Sequence, residues 1–166
     1  FAPARENVTY CDYSPPSVPI PDRIPEDHRM NSDMPGYVQF RDKFDQRVAI
    51  GPIPPAVGDL ARTGGWIKLR ENRPFDALLL TAISDAWYPS SFARDLPPLS
   101  APTIDHTVHF FGTCPDPQIR AEDFVLVEVE TRLAQSGFLQ EDGRIWSPAG
   151  NLLLQSRQLA LIMTDD

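Results

Sequence analysis

RPFDALLLTAISDAWYPSSF, residues 73–92, decides the fold because it combines helix signals with an almost continuous apolar surface. Pro74 suits a first helical position, Asp76 lies favourably near the positive end of the helix dipole, and Pro89 should end the helix near Tyr88. About 15 helical residues would span roughly 22 Å. The apolar side chains leave almost no polar stripe, which predicts a core helix surrounded by protein on most sides. They are Phe75, Ala77, Leu78, Leu79, Leu80, Ala82, Ile83, Ala86 and Trp87.

Segments typical of β-strands lie on both sides of this helix. The clearest, FVLVEVETRLAQ at residues 124–135, alternates valines with charged residues, which predicts a strand whose Thr131 faces the core. GFLQEDGRIWSPAG offers two turns, Asp142-Gly143 and Ser147–Gly150, and the second is favoured because longer strands flank it. The other strand candidates are YVQFRDKFDQRVAI (37–50), GGWIKLRE (64–71), TIDHTVHFF (103–111) and NLLLQSRQLALIM (151–163).

One apolar helix with several long antiparallel strands predicts an α+β domain. The specific prediction is the hot-dog fold, in which an antiparallel sheet wraps around one long central helix. The beginning of the chain differs, since ten of the 18 prolines fall within residues 1–55 and Ser14–His28 is too rich in proline for a helix or a central strand. Residues 1–36 are therefore interpreted as a proline-rich linker or extended segment, and residues 37–166 as the hot-dog domain. A start at Phe1 inside such a segment predicts that another folded part precedes it.

Composition argues against several classes of function. The chain has 15 basic and 23 acidic residues, a net charge of −8 and no Lys/Arg cluster, so neither nucleic acid nor an anionic membrane surface is an expected partner. Cys11 and Cys114 are too few and too far apart for a disulfide framework or a thiolate metal site, and no metal or cofactor is predicted. No apolar run approaches the roughly 18 residues that a membrane span needs. These features favour a cytoplasmic protein.

The last strand candidate carries an unexpected polar residue. Alternation places Gln158 on the same face as Leu154, whereas Gln155 and Arg157 lie together on the other face. Burying an amide without a partner costs roughly 1–3 kcal/mol, so Gln158 needs a hydrogen-bond partner or a function.

Three segments carry a resemblance to a known family. TIDHTVHFF, VEVETRLAQSGFLQEDGRIW and GNLLLQSRQLAL resemble, in this order, the C-terminal hot-dog repeat of TesB-like (type II) acyl-CoA thioesterases. The resemblance covers residues 37–163 and includes the helix segment. Members are usually double hot-dogs, which implies that this chain is the linker plus the second repeat. Its partners would then be an acyl-CoA substrate and either an N-terminal hot-dog repeat or another copy of the chain.

The resemblance also implies a set of catalytic residues. In the family the second repeat supplies an Asp, a Thr or Ser, and a Gln that hold and activate the water attacking the thioester carbonyl. Matched by motif, these are Asp105 in TIDHTVHF, Thr131 in VETRLAQ and Gln158 in QSRQLAL. A carboxylate can accept the proton of the water while a hydroxyl and an amide fix its orientation, so no metal or covalent nucleophile is needed.

Four further residues are candidates for substrate binding. His109 shares the strand face of Asp105. Asp85 lies near the C-terminal end of the predicted helix, where the dipole disfavours a carboxylate. Trp87 is a candidate for an acyl tunnel or for core packing, and Arg157 for a contact with CoA phosphates or with water.

The leading hypothesis is a thioesterase that hydrolyses medium- or long-chain acyl-CoA to free fatty acid and CoA, with Asp105 as the general base. The alternative is a non-catalytic hot-dog module that binds acyl groups or assembles with a partner repeat. A hot-dog enoyl-CoA hydratase is disfavoured because the sequence has no D-x-N-P-x-H pattern.

Overall fold

An antiparallel sheet and a short helix form the domain. The computed structural model of the protein describes residues 10–26, 28–34, 37–94, 100–111, 114 and 116–163. Within these residues the chain forms one α-helix and one six-stranded sheet. In chain order the elements are β1 (Phe44–Ile50), β2 (Arg62–Leu69), α1 (Ala77–Ser84), β3 (Thr103–Phe110), β4 (Val125–Gln135), β5 (Phe138–Trp146) and β6 (Leu152–Leu161), with short 3-10 helices at Pro21–Arg23, Gln39–Lys43 and Ser90–Ala93.

The strands follow the order β1-β2-β4-β5-β6-β3 across the sheet, so β1 and β3 are its edges. A two-residue turn joins β4 to β5, and its residues Ser136 and Gly137 both have positive φ, 55° and 81°, as the twist of a tight hairpin requires. The turn at Ser147–Gly150 joins β5 to β6, which confirms the turn preferred from the sequence.

The hydrophobic core lies between α1 and one face of the sheet, the inner face. Val125, Val127 and Val129 of β4 are all almost fully buried there and share a single core cluster with α1 residues such as Leu79 and Ile83. The period-two pattern of the sequence therefore predicted this face correctly. An antiparallel sheet packed around a helix is the hot-dog fold.

The helix itself is shorter and more open than predicted. Instead of running from Pro74 to Tyr88, α1 has only eight residues, with Asp76 as its N-cap and Asp85 as its C-cap. Leu78 is 75% exposed on its open side. The prediction of a long helix enclosed on most sides is therefore wrong.

Buried polar side chains explain why the helix ends early. The Arg41 guanidinium donates to the carbonyl oxygens of Ala86 and Trp87, both at 3.1 Å, and the Gln46 amide donates to Ala86 O at 2.9 Å. These carbonyls are thus satisfied without continuing the helix. The apolar residues after Ser84 are buried, as predicted, but in an irregular segment.

The described part of the proline-rich segment lies against the opposite, outer face of the sheet. The Tyr13 ring lies 4.5 Å from the guanidinium carbon of Arg144, the Trp66 indole N–H donates to Pro19 O at 2.8 Å, and Arg47 donates to Pro21 O at 2.9 Å. Residues 1–9, 27, 35 and 36 of that segment lie outside the described residues. In the part of the chain that the structure describes, no helix is long and apolar enough to cross a membrane.

Candidate active site

A pocket of about 510 Å³ opens beside the C-terminal end of α1. The irregular segment after α1 forms one wall, the inner face of β5 and β6 forms another, and the residues around Gln39–Lys43 and the start of β3 close the sides. Its polar lining includes Arg41, Asp85, Thr103, Glu141 and Gln158, and its apolar lining includes Phe40, Trp87, Phe92, Leu139 and Ala160. The volume is in the range of small-molecule sites.

A row of polar side chains crosses the inner face toward this pocket. Thr131 of β4 pairs with Glu141 of β5, Glu141 pairs with Gln158 of β6, and Gln158 pairs with His106 of β3. Directly paired residues of an antiparallel ladder lie on the same face of the sheet, so these four residues form one inner-face row. Neighbouring members lie on strands about 4.8 Å apart.

Gln158 is half-buried and has a hydrogen-bond partner, as its place on an apolar strand face predicted. Its side-chain amide N–H donates to the hydroxyl oxygen of Thr103, and both residues line the pocket. Thr103 reaches the inner face because the pairing of β3 with β6 shifts between Thr103 and Asp105, which leaves Ile104 as an extra residue. Such a β-bulge reverses the faces of the residues on its two sides.

Asp105 lies on the outer face, away from the pocket. It pairs with Leu159, whereas the neighbouring residue Gln158 pairs with His106 on the inner face. The prediction that Asp105, Thr131 and Gln158 meet in space is therefore wrong. The physical reason is that alternation along β3 commits Asp105 to the face opposite His106.

Thr131 stays on the inner face, as predicted, but it lies on a different network. Its hydroxyl lies 2.9 Å from that of Ser90, and Glu141 separates it from Gln158 within the row. Two adjacent strand spacings place Thr131 about 10 Å from Gln158 across the sheet.

Asp85 and Trp87, proposed from the sequence as substrate-binding residues, do line the pocket. Asp85 is exposed at the end of α1, whereas Trp87 is buried and its indole N–H donates to the hydroxyl of Thr63 at 3.2 Å. The contacts of Arg41 with the carbonyls that follow Asp85 hold this segment in place. Burial lowers the pKa of Arg41, and nearby acidic groups including Asp85 and Glu141 oppose that shift.

Glu141 is the second carboxyl group of the pocket. Its Oε2 accepts the backbone N–H of Ser90 at 2.5 Å. Burial raises the pKa of Glu141, and the negative charge of Asp85 acts in the same direction, whereas the hydrogen bonds from Ser90 and the charge of Arg41 oppose the shift. The pocket therefore combines an exposed carboxyl group with one that is disfavoured in its charged form.

His106 connects the edge strand to the helix. Its Nε2 lies 2.9 Å from the hydroxyl oxygen of Ser84, whose own O–H donates to Thr81 O at 2.8 Å. The Nε2 atom is therefore the donor, since the hydroxyl proton is already used. This bond ties β3 to the residue that precedes Asp85.

The remaining predicted residues, His109 and Arg157, lie on the outer face with Asp105. They line a depression of about 340 Å³ there, and Arg157 forms an ion pair with Asp142 at 2.7 Å. Sequence alternation thus grouped His109 with Asp105 correctly. The depression is separated from the inner-face pocket by the sheet itself.

Thr103 and Glu141 are two of the polar pocket residues that were not predicted from the sequence. Thr103 stands in the same TIDH motif as Asp105, but simple alternation puts both on one face, and the bulge at Ile104 is not readable from the motif. For Glu141 a signal did exist, because it alternates with Leu139 and Ile145 in a strand whose apolar residues face the core.

The fold and the site together define a hot-dog domain with a ligand-sized pocket that contains a carboxylate, a hydroxyl and an amide. The chain belongs to the family of acyl-CoA thioesterase C-terminal domains, whose profile matches residues 15–162. This match confirms the TesB-like resemblance found in the sequence. Among curated proteins, none matches the chain.

Solved structures share the fold. A hot-dog-fold protein of unknown function from Alicyclobacillus acidocaldarius superposes with a TM-score of 0.76 at 23% identity, covering 98% of this chain and 60% of that one. The acyl-CoA thioesterase II TesB2 from Mycobacterium marinum gives 0.68 at 20% identity, with 98% and 60% covered. A tesB protein from Mycobacterium avium subsp. paratuberculosis gives 0.65 at 19%, with 95% and 56% covered. The chain therefore spans less than two thirds of the length of these relatives.

Proposed function

We propose that the protein hydrolyses acyl-CoA thioesters with a water molecule activated by Asp85, Thr103 and Gln158. The observation that supports this set is that all three side chains line one pocket and that Gln158 is hydrogen-bonded to Thr103. Of the three residues first matched by motif, only Gln158 is retained. Asp85 replaces Asp105 as the general base, and Thr103 replaces Thr131 as the hydroxyl.

The hydrogen bond between Gln158 and Thr103 determines which atom of the Gln158 amide is available to a bound water. Because Nε2 donates to Thr103, the carbonyl oxygen Oε1 of Gln158 remains as an acceptor. A water in the pocket can then donate one hydrogen to this oxygen and the other to Asp85. Asp85 takes the second proton as the water oxygen attacks the thioester carbonyl carbon. Positioning of this kind needs no metal or covalent intermediate. It lowers the activation barrier because it holds the water and the thioester in the orientation that the reaction requires.

The apolar lining supports an acyl chain as the bound group. Phe40, Phe92 and Leu139 provide walls next to the polar residues. Together with the family, these walls support the proposal of a medium- or long-chain acyl-CoA as substrate, with free fatty acid and CoA as products.

The edge of the sheet supports pairing with another hot-dog unit. Strand β3 is an edge of the sheet that the described residues form, and Ile104 and Phe110 on it are exposed. Unpaired backbone groups and apolar side chains at a sheet edge favour addition of another strand. An N-terminal hot-dog repeat or a second copy of the chain is the proposed occupant.

Thiol release from a panel of acyl-CoAs tests the activity. We expect turnover that falls at least about 100-fold in Asp85→Asn, because the general base is removed, and that stays within about threefold of the wild type in Asp105→Asn on the outer face. Both variants keep the size of the side chain, and circular dichroism checks their folding. Equal loss in both variants, or loss only in Asp105→Asn, would contradict the assignment of Asp85.

The solution molar mass tests the pairing. A mass near twice 18.6 kDa is expected for the isolated chain if it pairs with itself. A monomer that forms a complex with a separately produced hot-dog repeat would point to the other occupant. A monomer without affinity for either would contradict the proposed pairing, and a protein that binds acyl-CoA without turnover would favour the non-catalytic module.

A further inference from the structure

Glu141 is a pocket carboxyl group that the proposed reaction leaves without a role. It lies in the inner-face row between Thr131 and Gln158 and therefore directly beside the amide that orients the water. It lines the same pocket as Asp85. The position is thus within the reacting region and not on a remote wall.

Ser90 fixes the orientation of this carboxyl group. The backbone N–H of Ser90 donates to Oε2 at 2.5 Å, and the Ser90 hydroxyl lies 2.9 Å from that of Thr131. Ser90 and its neighbours in the 3-10 helix are buried. Buried Ser90 therefore holds Oε2 of Glu141 in the lining of the pocket.

The surroundings of Glu141 shift its protonation equilibrium toward the neutral acid. Burial raises the pKa of Glu141, and the charge of Asp85 adds to this effect against the opposing contributions of Ser90 and Arg41. The titratable and charged groups that face this region are Asp85 at the end of α1, Arg41 and Tyr37 near the 3-10 helix before β1, and His106 in the same row on β3. In the neutral acid, Oε2 accepts from Ser90 as a carbonyl oxygen and Oε1 carries the proton, so that Oε1 becomes a hydrogen-bond donor.

Two carboxyl groups in different environments within one site typically divide the roles of base and acid. We propose that Glu141, held by Ser90, donates a hydrogen bond from Oε1 to the thioester carbonyl oxygen of the bound acyl-CoA. This inference rests on the proposed function. It assigns Glu141 as a catalytic residue that touches the substrate, next to the base Asp85.

Asp85 takes a proton from the water, the water oxygen forms a bond to the carbonyl carbon, and the C=O electron pair moves onto oxygen, where the hydrogen bond from Glu141 strengthens. When this pair returns, the C–S bond breaks and CoA leaves as a thiolate, which takes the proton from Asp85. Glu141 keeps its proton throughout and acts by electrostatic stabilisation of the oxyanion.

Substitutions at Glu141 test this role through kcat measured over a range of pH. In Glu141→Leu the donor is lost, and kcat should fall about 100-fold with little change in KM, as for other oxyanion donors. Glu141→Gln keeps both a donor and an acceptor for Ser90, so its kcat should stay within about tenfold of the wild type. The matched control is Asp142→Asn, the adjacent carboxyl on the outer face, which should behave as the wild type.

The pH profile separates catalysis from a merely structural role. Wild-type kcat should fall at alkaline pH as Glu141 ionises and loses its donor, whereas Glu141→Gln should lack this alkaline decline. A structural role through Ser90 would leave the two profiles alike, and that result would overturn the proposal. A Glu141→Leu protein that is folded and retains kcat within about threefold of the wild type would overturn it as well.

A measurement without turnover provides a second test. The infrared spectrum of the wild type at neutral pH should contain the carbonyl stretch of a protonated carboxyl group, and Glu141→Gln should lack it. Its absence from the wild type would overturn the proposal even if the variants fail to fold. If the wild type has no thioesterase activity, the proposed function fails and this role with it. If activity depends on Asp85 but not on Glu141, only this inference fails.

Discussion

The two faces of the sheet carry similar polar residues in different surroundings. On the outer face, Asp142 pairs with the exposed Arg157, and Asp105 and His109 line a depression of about 340 Å³. On the inner face, Glu141 and Gln158 meet fixed partners from β3 and from the segment after α1. The same residue types therefore form an exposed ion pair on one side, and on the other side they are held by partners from different elements. Residue type alone does not indicate a site, whereas polar side chains held by fixed partners in the larger pocket do.

The largest expected difference between the faces concerns stability. Leu154 is 0% exposed on the inner face of β6, and Leu159 is 39% exposed on the outer face. We expect Leu154→Ala to lower the free energy of unfolding by ~2–5 kcal/mol, because it leaves a cavity. Leu159→Ala should cost less than half as much. Urea unfolding of both variants measures the comparison, and equal losses would show that the inner face is not the main core.

The second difference between the faces concerns kcat, and two glutamines of β6, one on each face, allow the comparison. Gln158→Leu removes the partner of Thr103, and we expect kcat to fall about 100-fold because the water loses its orienting acceptor. Gln155→Leu changes the outer face and should leave kcat within about threefold. Steady-state thiol release gives both values. A Gln155 effect as large as that of Gln158 would contradict the inner-face site.

A third, smaller effect on stability is expected at the N-terminal end of α1, where Asp76 can be compared with Asp85 at the other end. Asp76 accepts the Leu79 N–H at 2.8 Å, and we expect Asp76→Ala to cost about 1 kcal/mol of stability without the loss of turnover expected at Asp85. The hydrogen bond from Leu79 and the contacts with Arg73 lower the pKa of Asp76 in the folded protein. A lowered folded-state pKa stabilises the protein above the unfolded pKa, and this contribution is lost as pH falls through the folded one.

Unfolding at several acidic pH values measures this dependence. The stability difference between the wild type and Asp76→Ala should shrink as the pH falls below about 4, the ordinary range of an aspartate. Asp76→Asn serves as a control, because it retains a side-chain oxygen for the cap without the titration. A difference that grows on acidification would contradict the capping role.

The smallest effect is expected at the exposed outer-face ion pair. Arg157 and Asp142 are 2.7 Å apart, but the Arg157 side chain is largely open to solvent, and such pairs contribute little to stability. Arg157→Ala should shift neither the unfolding midpoint nor kcat measurably. A loss of affinity for CoA in this variant, measured by calorimetry, would instead support the contact with CoA phosphates considered from the sequence.

Much of the fold follows from periodicity. Alternation along β4 assigned the valines to the core, and the turn signal at Ser147–Gly150 placed the boundary between β5 and β6. The length of α1 could not be predicted from periodicity, because the end of the helix depends on Arg41 and Gln46, which lie about 40 residues away in sequence. Long-range hydrogen bonds of this kind leave no local pattern.

The sequence by itself determined the fold class, the family, the faces of the central strands and the unusual position of Gln158. Periodicity and motif order depend on residues that are close together in the sequence, so both can be recognised from the sequence alone. Only the tertiary structure decided which polar residues share a pocket. The bulge at Ile104 turns Thr103 inward while Asp105 points outward, and the early end of α1 brings Asp85 to the same cavity. Both effects depend on pairing between distant segments, and a one-residue shift in that pairing exchanges the two faces of a strand.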